Sequence, residues 1–151
     1  VRELVQAGKM QQACKMLGRH FELRGRVVAG RNRGGKLLGF PTANIEIGDA
    51  LCPKTGIYAV TVETREGHHL GVANIGYSPT FEDRQFTVEV YIMNFNRDIY
   101  GEKIRVSFVK RIRDEMKFAD IEHLKRQIQL DVEEATRVLT VGSLAPVARS
   151  S

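Results

Sequence analysis

From Phe21 onward the apolar residues of this chain recur at every second position, and that period restricts the fold more than any other feature. "FELRGRVV" (21–28) alternates, and "GIYAVTVETREG" (56–67) puts Tyr58, Val60 and Val62 on one face before a turn around Glu66-Gly67. "TVEVYIMNF" (87–95) sets Val88, Val90 and Ile92 against Thr87, Glu89, Tyr91 and Met93, and "EKIRVSFVKRI" (102–112) groups Ile104, Val106 and Phe108. Short strands with Gly-rich and polar connections, and no helical period between them, predict an antiparallel barrel or sandwich rather than a doubly wound sheet.

Helical periods flank this region. Val1, Leu4 and Val5 form one apolar face ending at Gly8, and Met10, Ala13, Cys14 and Leu17 form a second ending at Gly18. Near the other end Asp120 is the expected N-cap of a helix whose stripe is Ile121, Leu124, Ile128, Val132, Ala135 and Leu139. The stretch after it, "TVGSLAPVARSS", predicts a frayed tail. The expected division is 1–20 as a helical linker or the remnant of a preceding domain, 21–139 as one barrel with its helix, and 140–151 as flexible tail.

A chain of 151 residues suits one domain with a real core. It contains no internal repeat, no signal peptide and no apolar run near the roughly 20 residues of a membrane span, so no membrane partner is expected. It opens at Val1 rather than methionine, as a fragment or processed product would. Cys14 and Cys52 lack metal-ligand or redox spacing and read as free thiols of a reducing cytoplasm. The net charge of +5 suits an anionic ligand without choosing between nucleotide and nucleic acid.

Residues 30–36, "GRNRGGK", match the glycine and lysine spacing of a P-loop, but Leu37 stands where Ser or Thr should follow. Gly39 and Pro41 then oppose the helix such a loop opens. A second reading looks further along. Pro41 biases Phe40 toward an extended backbone, and if that continues, Thr42 and Asn44 point the same way. A hydroxyl and an amide carbonyl there are hard oxygen ligands suited to magnesium and phosphate. The Gly34-Gly35 turn could bring backbone N–H groups to the phosphates, with Lys36 or Arg33 adding charge. The bland alternative is a Pro-Thr turn beside an ordinary loop.

Glu89 faces away from the aliphatic side of its strand. A solvated carboxylate explains it, unless that face lines a pocket where it could take a proton from an alcohol. His68 and His69 beside Gly67 read as an exposed hairpin loop, and "KRIRDEMK" as a solvated strand end whose acids interrupt a basic stripe.

"GRVVAGRNRGGKLLGFPTANIEI", "GIYAVTV", "GVANIGYSPTF", "VEVYIMNF", "DIYGEKIRVSFVKRIRDEMKF" and "LKRQIQLD" follow one another from Phe21 to Leu139. Together they resemble the riboflavin kinase module of bacterial bifunctional riboflavin kinase/FAD synthetases, with Gly-Phe-Pro-Thr-Ala-Asn its most specific signature. The resemblance implies a six-stranded antiparallel Greek-key barrel with short N-terminal helices and a C-terminal helix. It implies transfer of phosphate from ATP to the 5′-hydroxyl of riboflavin, giving FMN and ADP with a divalent metal. Thr42 and Asn44 would then contact magnesium and the ATP phosphates. Glu89 would be the base, the Gly34–Gly39 loop would form a flap over the nucleotide, and Gly34, Gly35, Lys36, Gly39 and Pro41 would bind ATP and its phosphates. Arg113, Glu115 and Phe118 would lie near the flavin.

Relatives often carry aspartate where Asn94 stands, which predicts a structural effect on the face of Val88 and Val90. The segment 1–21 resembles the joint closing the adenylyltransferase domain that precedes the module in bifunctional enzymes. The sequence has no H-x-G-H signature, so FAD synthesis is not expected of this polypeptide. The further expectations are a cytoplasmic monomer binding riboflavin and ATP and no nucleic acid. The alternatives are a basic nucleic-acid-binding barrel, for which aromatics are few and tryptophan absent, and a flavin binder without catalysis.

Overall fold

The computed structural model describes residues 2–28, 42–47, 51–79, 84–95, 99–116 and 118–144. Its helices are α1 (Arg2–Gln6), α2 (Met10–Leu17) and α3 (Ile121–Leu144). Its strands are β1 (Phe21–Val28), β2 (Thr42–Glu46), β3 (Gly56–Thr64), β4 (Gly67–Pro79), β5 (Arg84–Ile92) and β6 (Lys103–Arg113). All pair antiparallel in the order β1-β2-β5-β4-β3-β6, and pairing of β1 with β6 closes the barrel. β3, β4 and β5 run as a meander while β2 lies beside β5, the Greek-key return. Closure leaves no unpaired sheet edge among the described strands.

The alternation decides which side chains face inward. Leu23, Val27, Ile45, Tyr58, Val60, Val62, Ala73, Ile75, Val88, Val90, Ile104, Val106 and Phe108 are all buried in one cluster. Tyr58 meets Phe108 edge-on at 5.1 Å between ring centres, and its hydroxyl donates to the Lys54 carbonyl at 2.6 Å. That satisfies the one polar atom such a ring brings into the core. Burial pushes the Tyr58 hydroxyl up to about 12 and the Cys52 thiol up to about 11.

Both N-terminal helices join this core. Val5, Met10 and Ala13 are buried in the same cluster as the barrel residues, so the segment expected as a linker is part of the packing. Gly8 and Gly18 stop the helices as expected, with φ of 77° and 78°. On the barrel's outer face α3 packs Ala135 and Leu139 against Ala59, Val72, Met93, Val109 and Ile112.

Several local expectations differ. β4 was not anticipated as a strand, because "GHHLGVANIGYSP" is dilute in large apolar residues and two of its inward positions are Gly71 and Ala73. His68 and His69 lie in it, paired with Glu63 and Val62, so they are not a loop. The tight turn is Arg65-Glu66, and His69 stacks edge-on against Phe95 at 4.8 Å. Asn94 is not on the β5 face; it follows the strand in a turn with φ 54°, a left-handed conformation asparagine tolerates. Ile121 is 58% exposed, while Asp131 is buried on the helix face that packs inward. Helix α3 continues past Leu139 to Leu144, since Gly142 weakens a helix without breaking it and the first proline is Pro146.

Gly56 opens β3 with φ 143°, and a Cβ there would come within 2.7 Å of both Arg111 Nη2 and the Arg113 carbonyl. A Gly56→Ala variant is therefore expected to lose roughly 1–3 kcal/mol in urea unfolding. An unchanged midpoint would show that the Arg111 side chain and the Arg113 backbone both yield without cost.

Candidate active site

Position along β2 is set by Ile45, which enters the core and leaves Thr42 and Asn44 on the outward set with Glu46. On β5, Val88 and Val90 go inward, so Glu89 and Tyr91 go outward. The register then brings these outward residues together. Asn44 lies directly opposite Glu89, and Thr42 directly opposite Tyr91. Opposed residues in an antiparallel pair carry their Cβ atoms about 4.5–5.5 Å apart on one face. Thr42, Asn44 and Glu89 are each half-buried.

The row extends across the next strand. Asn74 of β4 is the other register partner of Glu89, and Ile57 of β3 is opposite Asn74. Ile57 is in turn opposite Arg113 of β6. One line of the sheet's outer face thus reads Asn44, Glu89, Asn74, Ile57, Arg113. Beside it Thr87 is opposite Gly76. A Cβ on Gly76 would lie 2.9 Å from Thr87 Oγ1 and 3.2 Å from a Glu115 carboxylate oxygen, so Glu115 overhangs β4 there. Burial raises the Glu115 carboxyl above its usual range, against the pull of Arg113.

Arg113 is already engaged. Its Nε and Nη2 donate to the two carboxylate oxygens of Asp131 at 2.8 and 2.6 Å, and Nη1 donates to the Asp114 carbonyl at 2.9 Å. Gln127 Nε2 adds a 3.0 Å bond to Asp131. Arg113 therefore ties α3 to the end of β6 and fixes the start of the connection that carries Glu115. Phe118 is half-buried in that connection. Gly34, Gly35, Lys36, Gly39 and Pro41 lie outside the described residues, as does Arg33.

Among the described residues no group of three or more His, Cys, Asp or Glu side chains could hold a metal. Together Thr42 and the row offer a hydroxyl and amide oxygens beside one carboxylate. Such a set suits a hard cation that takes its remaining ligands from water and phosphate, as magnesium does. A separate cleft of about 550 Å³, lined by Arg24, Arg26, Arg65, Lys103 and Arg105 with Glu63, lies on the β1–β6–β3 face.

Residues 17–139 match the family model for flavokinase, that is, riboflavin kinase. The chain belongs to the riboflavin kinase family. It is 41% identical over 139 residues to a bifunctional riboflavin kinase/FMN adenylyltransferase of Listeria monocytogenes, covering 91% of this chain and 44% of that protein. It thus spans less than half the length of that relative. It is also 41% identical over 131 residues to a Bacillus subtilis protein called RNA-binding riboflavin kinase RibR, covering 84% of this chain and 55% of the other. A solved riboflavin kinase from Trypanosoma brucei superposes with a TM-score of 0.61 at 27% identity, covering 86% of each chain. The family's barrel is the fold described above.

Sequence reasoning passed over Asn74 and Gly76. Both sit in "GVANIGYSPTF", and the signal that could have found them is the alternation of β4, which puts Asn74 and Gly76 on the face opposite Ala73 and Ile75.

Proposed function

We propose that this chain transfers the γ-phosphoryl group of ATP to the ribityl 5′-hydroxyl of riboflavin, giving FMN and ADP. The observation that carries this reading is the register pairing of Asn44 with Glu89, Thr42 being two positions along the same face. Family membership supplies the chemistry to which that pairing is suited.

Phosphoryl transfer asks mainly for positioning and for donors and charge around the phosphate oxygens. The Thr42 hydroxyl and the Asn44 amide oxygen would hold a divalent cation, magnesium in our reading, together with phosphate oxygens of ATP. When bound, the cation offsets negative charge on those oxygens. Glu89 holds the 5′-hydroxyl and accepts its proton as that oxygen bonds to the γ-phosphorus. The bond from phosphorus to the β–γ bridging oxygen breaks, ADP leaves with the electron pair, and Glu89 later returns its proton to water. The Gly34–Gly39 loop, with Gly34, Gly35, Lys36 and Gly39, would cover the phosphates as a flap with Pro41 beside it, and Arg113, Glu115 and Phe118 would border the flavin.

The deciding assay incubates the purified chain with riboflavin, ATP and magnesium and separates the flavins. FMN is expected, and unconverted riboflavin would overturn the reading. FMN and ATP should yield no FAD. Thr42→Ala should weaken magnesium-dependent ATP binding roughly 10-fold, as loss of one charge-assisted oxygen contact does. Wild-type ATP affinity in that variant would remove Thr42 from the cation.

The reading includes a cytoplasmic enzyme that acts as a monomer. Among the described residues, no helix is long and apolar enough to cross a membrane. A second reading, nucleic-acid binding, has the arginine- and lysine-lined cleft in its favour. It predicts oligonucleotide affinity that falls steeply with salt. Kinase activity without such binding is the outcome expected here.

A further inference from the structure

The Oδ1 atom of Asn74 is shut off from solvent and has no hydrogen-bond partner. Such an acceptor is costly, because folding strips its water and returns nothing. A Leu or Val would pack the same outward position of β4 without that cost. Asn74 also stands directly opposite Glu89, on the side away from Asn44.

That order across the strands has a chemical direction. In phosphoryl transfer the attacking and leaving oxygens lie roughly in line through phosphorus. With the nucleotide phosphates held at β2, the attacking alcohol must approach Glu89 from the β4 side, over Asn74. A carbonyl-type oxygen accepts hydrogen bonds and cannot hold phosphate oxygens, which also accept. What it can hold is a hydroxyl.

We propose that Asn74 is a substrate-binding residue whose Oδ1 accepts a hydrogen bond from a hydroxyl of the ribityl chain, next to the one that Glu89 deprotonates. The proposal rests on the kinase reading above. It makes the row a division of labour: Asn44 for the phosphate side, Glu89 for the reacting oxygen, Asn74 for the polyol. Since Oδ1 is covered, the polyol must displace a neighbouring group. Glu115 overhangs Gly76, two positions along the same face.

The test compares the wild-type chain with Asn74→Leu and Asn74→Ala. Riboflavin binding is measured by fluorescence quenching with ADP and magnesium present, and lumiflavin, which keeps the ring system but has no polyol, is measured alongside. Steady-state FMN formation and thermal unfolding complete the set. Riboflavin affinity should fall roughly 3- to 10-fold, the worth of one hydrogen bond between neutral groups. Lumiflavin affinity and the KM for ATP should stay as in the wild type. The unfolding temperature should hold or rise, because the unpaired acceptor is gone.

Unchanged riboflavin affinity would overturn the proposal, as would equal weakening of lumiflavin or a shift confined to ATP. A lowered unfolding temperature with all ligands weakened together would mark Asn74 as structural and also overturn it. If the wild type binds riboflavin but forms no FMN, the kinase reading falls while the riboflavin and lumiflavin comparison still decides Asn74. If the wild type binds no riboflavin, both fall.

Discussion

Glu89→Ala is expected to lower the turnover of FMN formation by about 10²–10⁴-fold, the usual contribution of a positioned general base. The KM for ATP should change little, because the nucleotide contacts assigned to Thr42 and Asn44 lie on another strand. An effect in kcat and kcat/KM together, with ATP binding intact, marks a group that acts in the transition state. Glu89 is half-buried on the outer face, away from the Val88 and Val90 core, so the variant should unfold near the wild-type temperature. Turnover within a few-fold of wild type would remove Glu89 from its role as the base.

The second large effect is on stability. Asp131→Ala is expected to cost about 3–5 kcal/mol, because it strands a guanidinium that is largely withdrawn from water. The Arg113 and Asp131 side chains are 17% and 5% exposed and meet through two parallel hydrogen bonds. In a chain of this size that loss lowers the unfolding temperature by on the order of 10 °C. Replacing both partners together, as Arg113→Met with Asp131→Leu, should recover most of it, since neither charge is then left unpaired. Differential scanning calorimetry of the wild type and the two variants separates these cases. A single variant no less stable than the double one would show that water or another group takes over at Arg113.

Much of the barrel was legible because its inner face is written in large side chains at strict period two. Tyr58, Val60 and Val62 in β3 and Ile104, Val106 and Phe108 in β6 identify their strands unaided. β4 was not legible for the opposite reason: small inward residues such as Gly71 and Ala73 make room for neighbours and so carry little hydrophobic signal. Asp131 escaped notice because a carboxylate on an apolar helix stripe looks like an interruption until its partner, more than a dozen residues earlier in the chain, is known.

The candidate site divides the same way. The direction shared by Thr42 and Asn44 follows from an extended backbone after Pro41, and Glu89 follows from the alternation of β5. Which strands stand side by side does not follow from either. Register is set by the whole barrel's closure, and it is register that puts Asn44 and Asn74 on the two sides of Glu89. The expectation of Arg113 beside the flavin rests on the family resemblance alone, and the hold of Asp131 and the Asp114 carbonyl on its guanidinium is a pairing that local sequence does not display.

A crystal structure of the chain with ADP, magnesium and riboflavin tests the central claim most directly. The account predicts the cation about 2.0–2.1 Å from the Thr42 hydroxyl oxygen or the Asn44 amide oxygen. It also predicts the ribityl 5′-oxygen within about 2.6–3.2 Å of a Glu89 carboxylate oxygen. A flavin bound with its 5′-hydroxyl out of reach of Glu89, or a cation held by neither Thr42 nor Asn44, would contradict it.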